Sequence, residues 1–219
     1  MIRLAVFDCD GTLADGQANI CQAMALAFAD AALPAPDPRA VRRIVGLSLP
    51  QAVARLVPDS DLALHDAVAD GYKRHFRAMR TNGGLVDEPL FPGIADTLTA
   101  LLDRGWRLGV ATGKSDRGLA LLLAHHDIAR HFVTLQTADR HPSKPHPAML
   151  HAAMAEAGAE AQATVMIGDT SFDMVMATAA GVRAIGVAWG YHPPAELAAA
   201  GADALCDDAA DLPALLDLP

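Results

Sequence analysis

The sequence predicts an α/β fold: a parallel sheet covered by helices on both faces, with an all-helical segment inserted after the first strand. Two observations predict it. Short apolar runs alternate with helix-period segments through most of the 219 residues. That is the pattern of parallel strands joined by helical crossovers. The alternation lapses from residue 16 to about residue 80, where no strand-like run appears. The length suits one large domain, or a core plus a smaller one.

The elements follow in order. Residues 2–7 form the first buried strand, and residues 106–111 (WRLGVA) the second. Residues 131–135, 164–167, 182–187 and 204–206 supply four more. Helical patterns fill the gaps at 93–104, 115–125, 146–157, 171–180, 193–200 and 208–217. In the insertion, Ile20, Met24 and Phe28 recur at helical spacing. Pro34, Pro36 and Pro38 then punctuate the chain, and residues 41–45, 49–56 and 61–79 read as further helices. The stretch TNGGLVDEP, from Thr81 to Pro89, has the Gly-Gly and Pro of a hinge. The expected division is a core of residues 1–14 and 88–219 with a helical unit of residues 15–87.

Composition excludes several classes. The formal charge is −9, which argues against a nucleic-acid partner held by bulk charge. Residues 15–90 are nearly balanced, with 8 Lys/Arg against 9 Asp/Glu. The acidic excess therefore lies in the expected core. Cys9, Cys21 and Cys206 are too few and odd in number for a disulfide framework, which fits a reducing cytoplasm. The start, MIRLAVFD, turns acidic too soon for a signal peptide. No uninterrupted apolar stretch of about 18 residues suggests a membrane span.

Four stretches at expected strand ends carry chemistry. They are Asp8-Cys9-Asp10-Gly11-Thr12, Thr112-Gly113-Lys114, Ser143-Lys144-Pro145, and Gly168-Asp169 running on to Asp173. A parallel sheet gathers such ends on one rim, where ligands bind. The rim then holds four carboxylates, a hydroxyl and a lysine. Clustered carboxylates suit Mg²⁺, which takes oxygen ligands, and no Cys/His spacing suggests zinc. A hydroxyl, backbone N–H groups after Gly113 and an ammonium can hold phosphate oxygens. A carboxylate facing a phosphate can act as a nucleophile. Asp10, two residues beyond Asp8, points to the same side and can serve as acid, then base.

These motifs, in this order, resemble the haloacid dehalogenase-like phosphohydrolase superfamily, whose pattern is DxDGT[LV], a strand-end Thr or Ser, a Lys, then GDxxxD. The helical insertion resembles that superfamily's C1-type cap, so a Rossmann-like core is expected. VRRIVGLSLPQAVARL and GVAWGYHPPAELAAAGADALCDDAADL are similar to stretches of phosphoglycolate phosphatase-like members. The resemblance implies Asp8 as nucleophile and Asp10 as general acid, then base. It implies Thr112, Gly113 and Lys144 as phosphate-binding groups, and Arg43 as a contact for the substrate's distal group. Asp169 would be the main Mg²⁺ ligand beside Asp8 and the backbone carbonyl of Asp10, with Asp173 in support. The activity implied is Mg²⁺-dependent hydrolysis of a small phosphorylated metabolite, 2-phosphoglycolate first, by a cytoplasmic monomer or homodimer.

Two departures bear on this reading. Asp15-Gly16 stands where members often read Asp-Ser or Asp-Thr. Ile20 stands where β-phosphoglucomutase-type members carry a histidine, which disfavours a mutase. Pyrophosphatase, sugar-phosphate phosphatase and phosphomutase activities remain alternatives within the superfamily. A phospho-acceptor signalling module is the alternative from another class, although its receivers are about half this length and lack a cap. Plainer readings also stand. Asp173 can be an acidic residue near a helix N-terminus, and Lys144 a solvated loop lysine. The nine histidines read as surface or packing groups, with His192 set apart because its loop can reach the site. Cys9 turns away from the aspartates into packing.

Overall fold

In a computed structural model of the chain, residues 2–217 are described. Six strands form one parallel sheet: β1 (Leu4–Phe7), β2 (Arg107–Thr112), β3 (Phe132–Thr137), β4 (Thr164–Gly168), β5 (Arg183–Val187) and β6 (Ala204–Cys206). Their order is β3-β2-β1-β4-β5-β6. The chain thus builds outward from β1 to one side, then returns to build the other. That reversal opens a crevice between the carboxyl ends of β1 and β4, where ligands bind in doubly wound sheets. The register is level there, with Phe7 opposite both Val110 and Ile167.

Alternation along β1 explains the two sides of the core. Ala5, Phe7 and Cys9 share one apolar cluster with α5 (Ile94–Asp103), α6 (Asp116–His125) and α10 (Leu212–Leu216). Leu4 and Val6 face the other way, into α7 (Ala148–Ala157), α8 (Ser171–Ala180) and α9 (Pro194–Ala199). Both faces are buried, so β1 reads LAVF without a polar residue. Cys9 is fully buried in packing, as alternation predicts. The side chains of residues 8 and 10 therefore lie on the side of Val6, beyond the strand's end.

Residues 16–81 contain four helices: α1 (Gln17–Asp30), α2 (Pro38–Arg42), α3 (Leu49–Leu56) and α4 (Leu62–Thr81). They enclose their own cluster around Met24, Phe28, Val41, Val53 and Val68. A small cluster of Ile44, Leu47 and Ala52 with Phe172 of α8 joins this insertion to the sheet layer. The expected helix at 41–45 is displaced. Asp37 caps α2 by accepting from the Arg39 N–H, and Pro38 stands at its first turn, so the helix starts earlier and ends at Arg42. Residues 43–46 turn instead, with Gly46 at φ +97°. Strand bounds differ by one to two residues, as where β3 extends to Thr137. The insertion connects through two adjacent segments: Asp15 N–H donates to Pro89 O at 2.9 Å and Phe91 N–H to Leu13 O at 3.0 Å. Among the described residues, no helix is long and apolar enough to cross a membrane.

Candidate active site

The ends of β1 and β4 and the 143–145 loop bring Asp8, Asp169, Asp173 and Lys144 together, all fully buried. Lys144 Nζ lies 2.8 Å from Asp8 Oδ1 and 2.6 Å from Asp173 Oδ1. These are ion contacts outside hydrogen-bond alignment. Asp173 Oδ2 accepts from the Thr170 hydroxyl at 2.7 Å and the Thr170 N–H at 3.1 Å. Asp173 thus caps α8 and braces Lys144 at once. Asp169 is held from two sides: the Thr12 hydroxyl and the Tyr191 N–H each donate to it at 2.8 Å.

Three buried carboxylates and one ammonium leave an excess of two negative charges. Burial pushes the Asp8 carboxyl up to about 7; Lys144 opposes that rise and Asp173 adds to it. Burial, then repulsion from Asp8 and Asp173, holds Asp169 well above the carboxylate range. Burial alone would lower Lys144, but Asp173 and Asp8 more than reverse it, so it stays an ammonium. Asp8 Oδ2 is buried with no hydrogen-bond partner. One carboxylate oxygen from each of Asp8, Asp169 and Asp173 lies within 4.8 Å of the others. An all-oxygen donor set, an orphaned oxygen and two uncompensated charges fit a divalent cation of the hard class.

The Asp10 carboxylate is not part of that set. Lys114 Nζ holds its Oδ1 at 2.8 Å and lies 3.9 Å from Glu88 Oε2. Burial, the largest influence, would lower Lys114, but Asp10, Cys9 and Glu88 together outweigh it and hold it above the usual lysine value. A Cβ at Gly16 would stand 2.7 Å from Asp10 Oδ1. The bare glycine lets the chain leaving the motif press against this carboxylate. Thr112 is buried at the end of β2, and its hydroxyl accepts from the Lys114 N–H at 3.2 Å.

The helical insertion reaches this rim through its backbone. A Cβ at Gly113 would stand 2.5 Å from Leu47 O and 2.8 Å from Gly46 O, so only a glycine admits the 46–47 turn. Ser48 N–H donates to Ser143 Oγ at 2.7 Å. His192 joins the two parts: its Nδ1 accepts from Ser171 N–H and its Nε2 donates to Arg43 O, both at 3.2 Å. Arg43 itself is engaged elsewhere. Glu196 of α9 holds its guanidinium at 2.8 and 2.6 Å. It does not line the cavity of about 620 Å³ that opens over Asp10 between insertion and sheet. Sequence reasoning placed Thr12 and Lys114 inside the motifs without a role for either, and passed over Glu88 and Tyr191. For Lys114 a signal existed, because it follows Thr112-Gly113 at the end of the strand paired with β1.

Residues 5–187 match the haloacid dehalogenase-like hydrolase family. The chain belongs to this family. Among the curated relatives, "Probable phosphatase IndB" of Dickeya dadantii is 36% identical over 94% of this chain and 90% of its own length. A phosphoglycolate phosphatase of Cupriavidus necator is also 36% identical, over 96% of this chain and 91% of its own. A solved structure, described as a predicted phosphatase from Clostridium acetobutylicum, superposes over the whole of both chains. Its TM-score is 0.88 at 24% identity, and that likeness bears on the fold alone.

Proposed function

We propose that this haloacid dehalogenase-like hydrolase is a phosphatase that hydrolyses small phosphate monoesters through an aspartyl-phosphate on Asp8. The observation that carries the reading is the division of labour among the aspartates. Asp8 sits in a buried anionic cluster with one free oxygen, while Asp10 stands apart on Lys114. 2-Phosphoglycolate is the reference substrate, because the Cupriavidus relative is named for it.

In the first half-reaction an Asp8 oxygen attacks phosphorus, the ester P–O bond breaks, and the Asp10 carboxyl gives its proton to the leaving oxygen. In the second, Asp10 takes a proton from water as that water attacks phosphorus. Inorganic phosphate leaves and Asp8 is regenerated. The Lys144 ammonium, the Thr112 hydroxyl and the Gly113 N–H orient the phosphoryl oxygens. Lys114 keeps the Asp10 carboxyl turned toward the cavity. Asp8, Asp169 and Asp173, with the Asp10 main-chain carbonyl, are the groups that would hold Mg²⁺, which when bound supplies positive charge against the phosphoryl oxygens. Asp173 acts mostly through Lys144, since both its oxygens are already engaged. Residues 15–87 serve as a cap that closes over the rim and excludes water from the first step. Ile20, which lines the cavity, offers no imidazole for a mutase.

The site is assembled within a single chain, which a monomer or a homodimer can provide equally. Three unpaired cysteines support a reducing, cytoplasmic setting. The test is p-nitrophenyl phosphate turnover with and without Mg²⁺. Turnover is expected to need the cation, and to fall in Asp8→Asn by about three orders of magnitude or more. Undiminished turnover in Asp8→Asn overturns the assignment.

A further inference from the structure

The cavity over Asp10 has far more room than a two-carbon phosphate ester fills, at about 620 Å³. Volumes of this order hold drug-sized ligands. Its lining combines apolar and cationic groups. Ile20, Met24, Leu47, Tyr72 and Phe76 supply apolar and ring-bearing wall in the same cavity as Asp10 and Lys114. Along α4 the lining residues continue from Tyr72 to Arg80 on one helix face, a run of about 12 Å. That face also carries Lys73, Arg77 and Arg80, and Arg117 of α6 lines the same cavity.

The cations differ in how they are engaged. Lys73 has Asp70 at 3.4 Å, and Arg80 lies over the Phe76 ring at 5.4 Å. Among the described residues, the guanidinium groups of Arg77 and Arg117 show no hydrogen bond or ion pair. Besides Asp10, the carboxylate lining the cavity is Asp139, which already accepts from the Asp116 N–H at 2.9 Å.

We infer that the preferred substrate is a phosphate monoester with an apolar, ring-sized body and a second anionic group far from the phosphate, taken by Arg77 and Arg117. The inference rests on the phosphatase reading above. The apolar walls gain by covering such a body, and guanidinium groups match a carboxylate or phosphate. 2-Phosphoglycolate carries a second anion but lacks the body, so it is a truncated member of this class. The arginines are exposed, so salt screens the distal contact and its effect is moderate.

The test compares phenyl phosphate, 4-carboxyphenyl phosphate and 2-phosphoglycolate in the wild type and in Arg77→Ala and Arg117→Ala. The carboxylated ring is expected to exceed phenyl phosphate about fivefold in kcat/KM, through a lower KM. Each variant should shrink that advantage while leaving kcat on phenyl phosphate unchanged. An equal response to the two aryl esters overturns the inference, as does 2-phosphoglycolate outperforming both. A second measurement separates this from the phosphatase reading: calorimetric binding of 4-carboxybenzylphosphonate to the same proteins. Arg77-dependent binding without turnover of any ester sinks the phosphatase reading and keeps the ligand class. Binding that ignores both arginines sinks the ligand class whatever the turnover.

Discussion

Asp8 and Lys144 set the electrostatics of the site, and both have measurable consequences. The unfolded Asp8 titrates near 3.8 and the folded one at about 7. Between those values the metal-free fold keeps a proton that the unfolded chain has lost. That contribution to stability is fully present below the unfolded value and disappears as pH rises through about 7. Asp169 is shifted in the same direction. In EDTA, the melting temperature should therefore fall between about pH 5 and pH 8. Mg²⁺ should raise it by an increment that grows with pH, because cation and proton compete for the same oxygens. Calorimetry at several pH values checks this, and a constant Mg²⁺ increment would contradict it. Lys144→Met removes the cation between two buried carboxylates. It should cost the metal-free protein about 3 kcal/mol near neutral pH, less as the carboxylates protonate on acidification. Urea titrations at two pH values read both effects. Asp8 was visible in the sequence because it stands at a strand end, and Lys144 because it lies in a Ser-Lys-Pro stretch spaced between the other motifs. The Arg43–Glu196 pair was not legible in the sequence for a physical reason: the partners are 153 residues apart, and their meeting depends on how α2 and α9 dock. Lys114 was given no role because a lysine after a strand-end turn usually reaches solvent.

The elements were legible in proportion to how fully their pattern is set by burial. All six strands of the sheet lie where apolar runs place them, because a parallel sheet covered on both faces demands such runs. The helix at α2 was mis-centred because its capping pair, Asp37 and Pro38, precedes the apolar residues that suggested it. The 46–48 turn packs tightly against the end of β2. Adding a single methyl at Gly113 would drive it into two carbonyl oxygens of that turn. Gly113→Ala should lower kcat/KM on p-nitrophenyl phosphate about 100-fold, the scale of an ångström's misplacement at a reacting centre. Circular dichroism melting should show the sheet still folded. Full activity in this variant would mean that the turn is free to retreat without affecting the chemistry.

At the scale of the whole molecule, the proposed working cycle needs the two units to part and rejoin. Ser48 N–H and Ser143 Oγ touch across the gap at 2.7 Å, which offers a reversible lock. Ser48→Cys with Ser143→Cys, oxidised, should lose at least about tenfold in turnover if substrate must enter through an opened cap. Reductant should restore it, and unchanged turnover in the oxidised protein would rule out opening as part of the cycle. The sequence announced the helical insertion through the lapse of strands after residue 16. It did not announce how the parts touch, because several of those contacts are made by main-chain atoms. Ser48 N–H, the Arg43 carbonyl and the carbonyls of Gly46 and Leu47 all meet the core, beside side-chain contacts of Ile44, Leu47, Ala52 and Arg55 with Phe172 and of Arg43 with Glu196. A seat written partly in backbone tolerates many side-chain replacements. Over evolutionary time, the lining of the cavity is then free to drift toward new esters without the lineage having to reinvent closure.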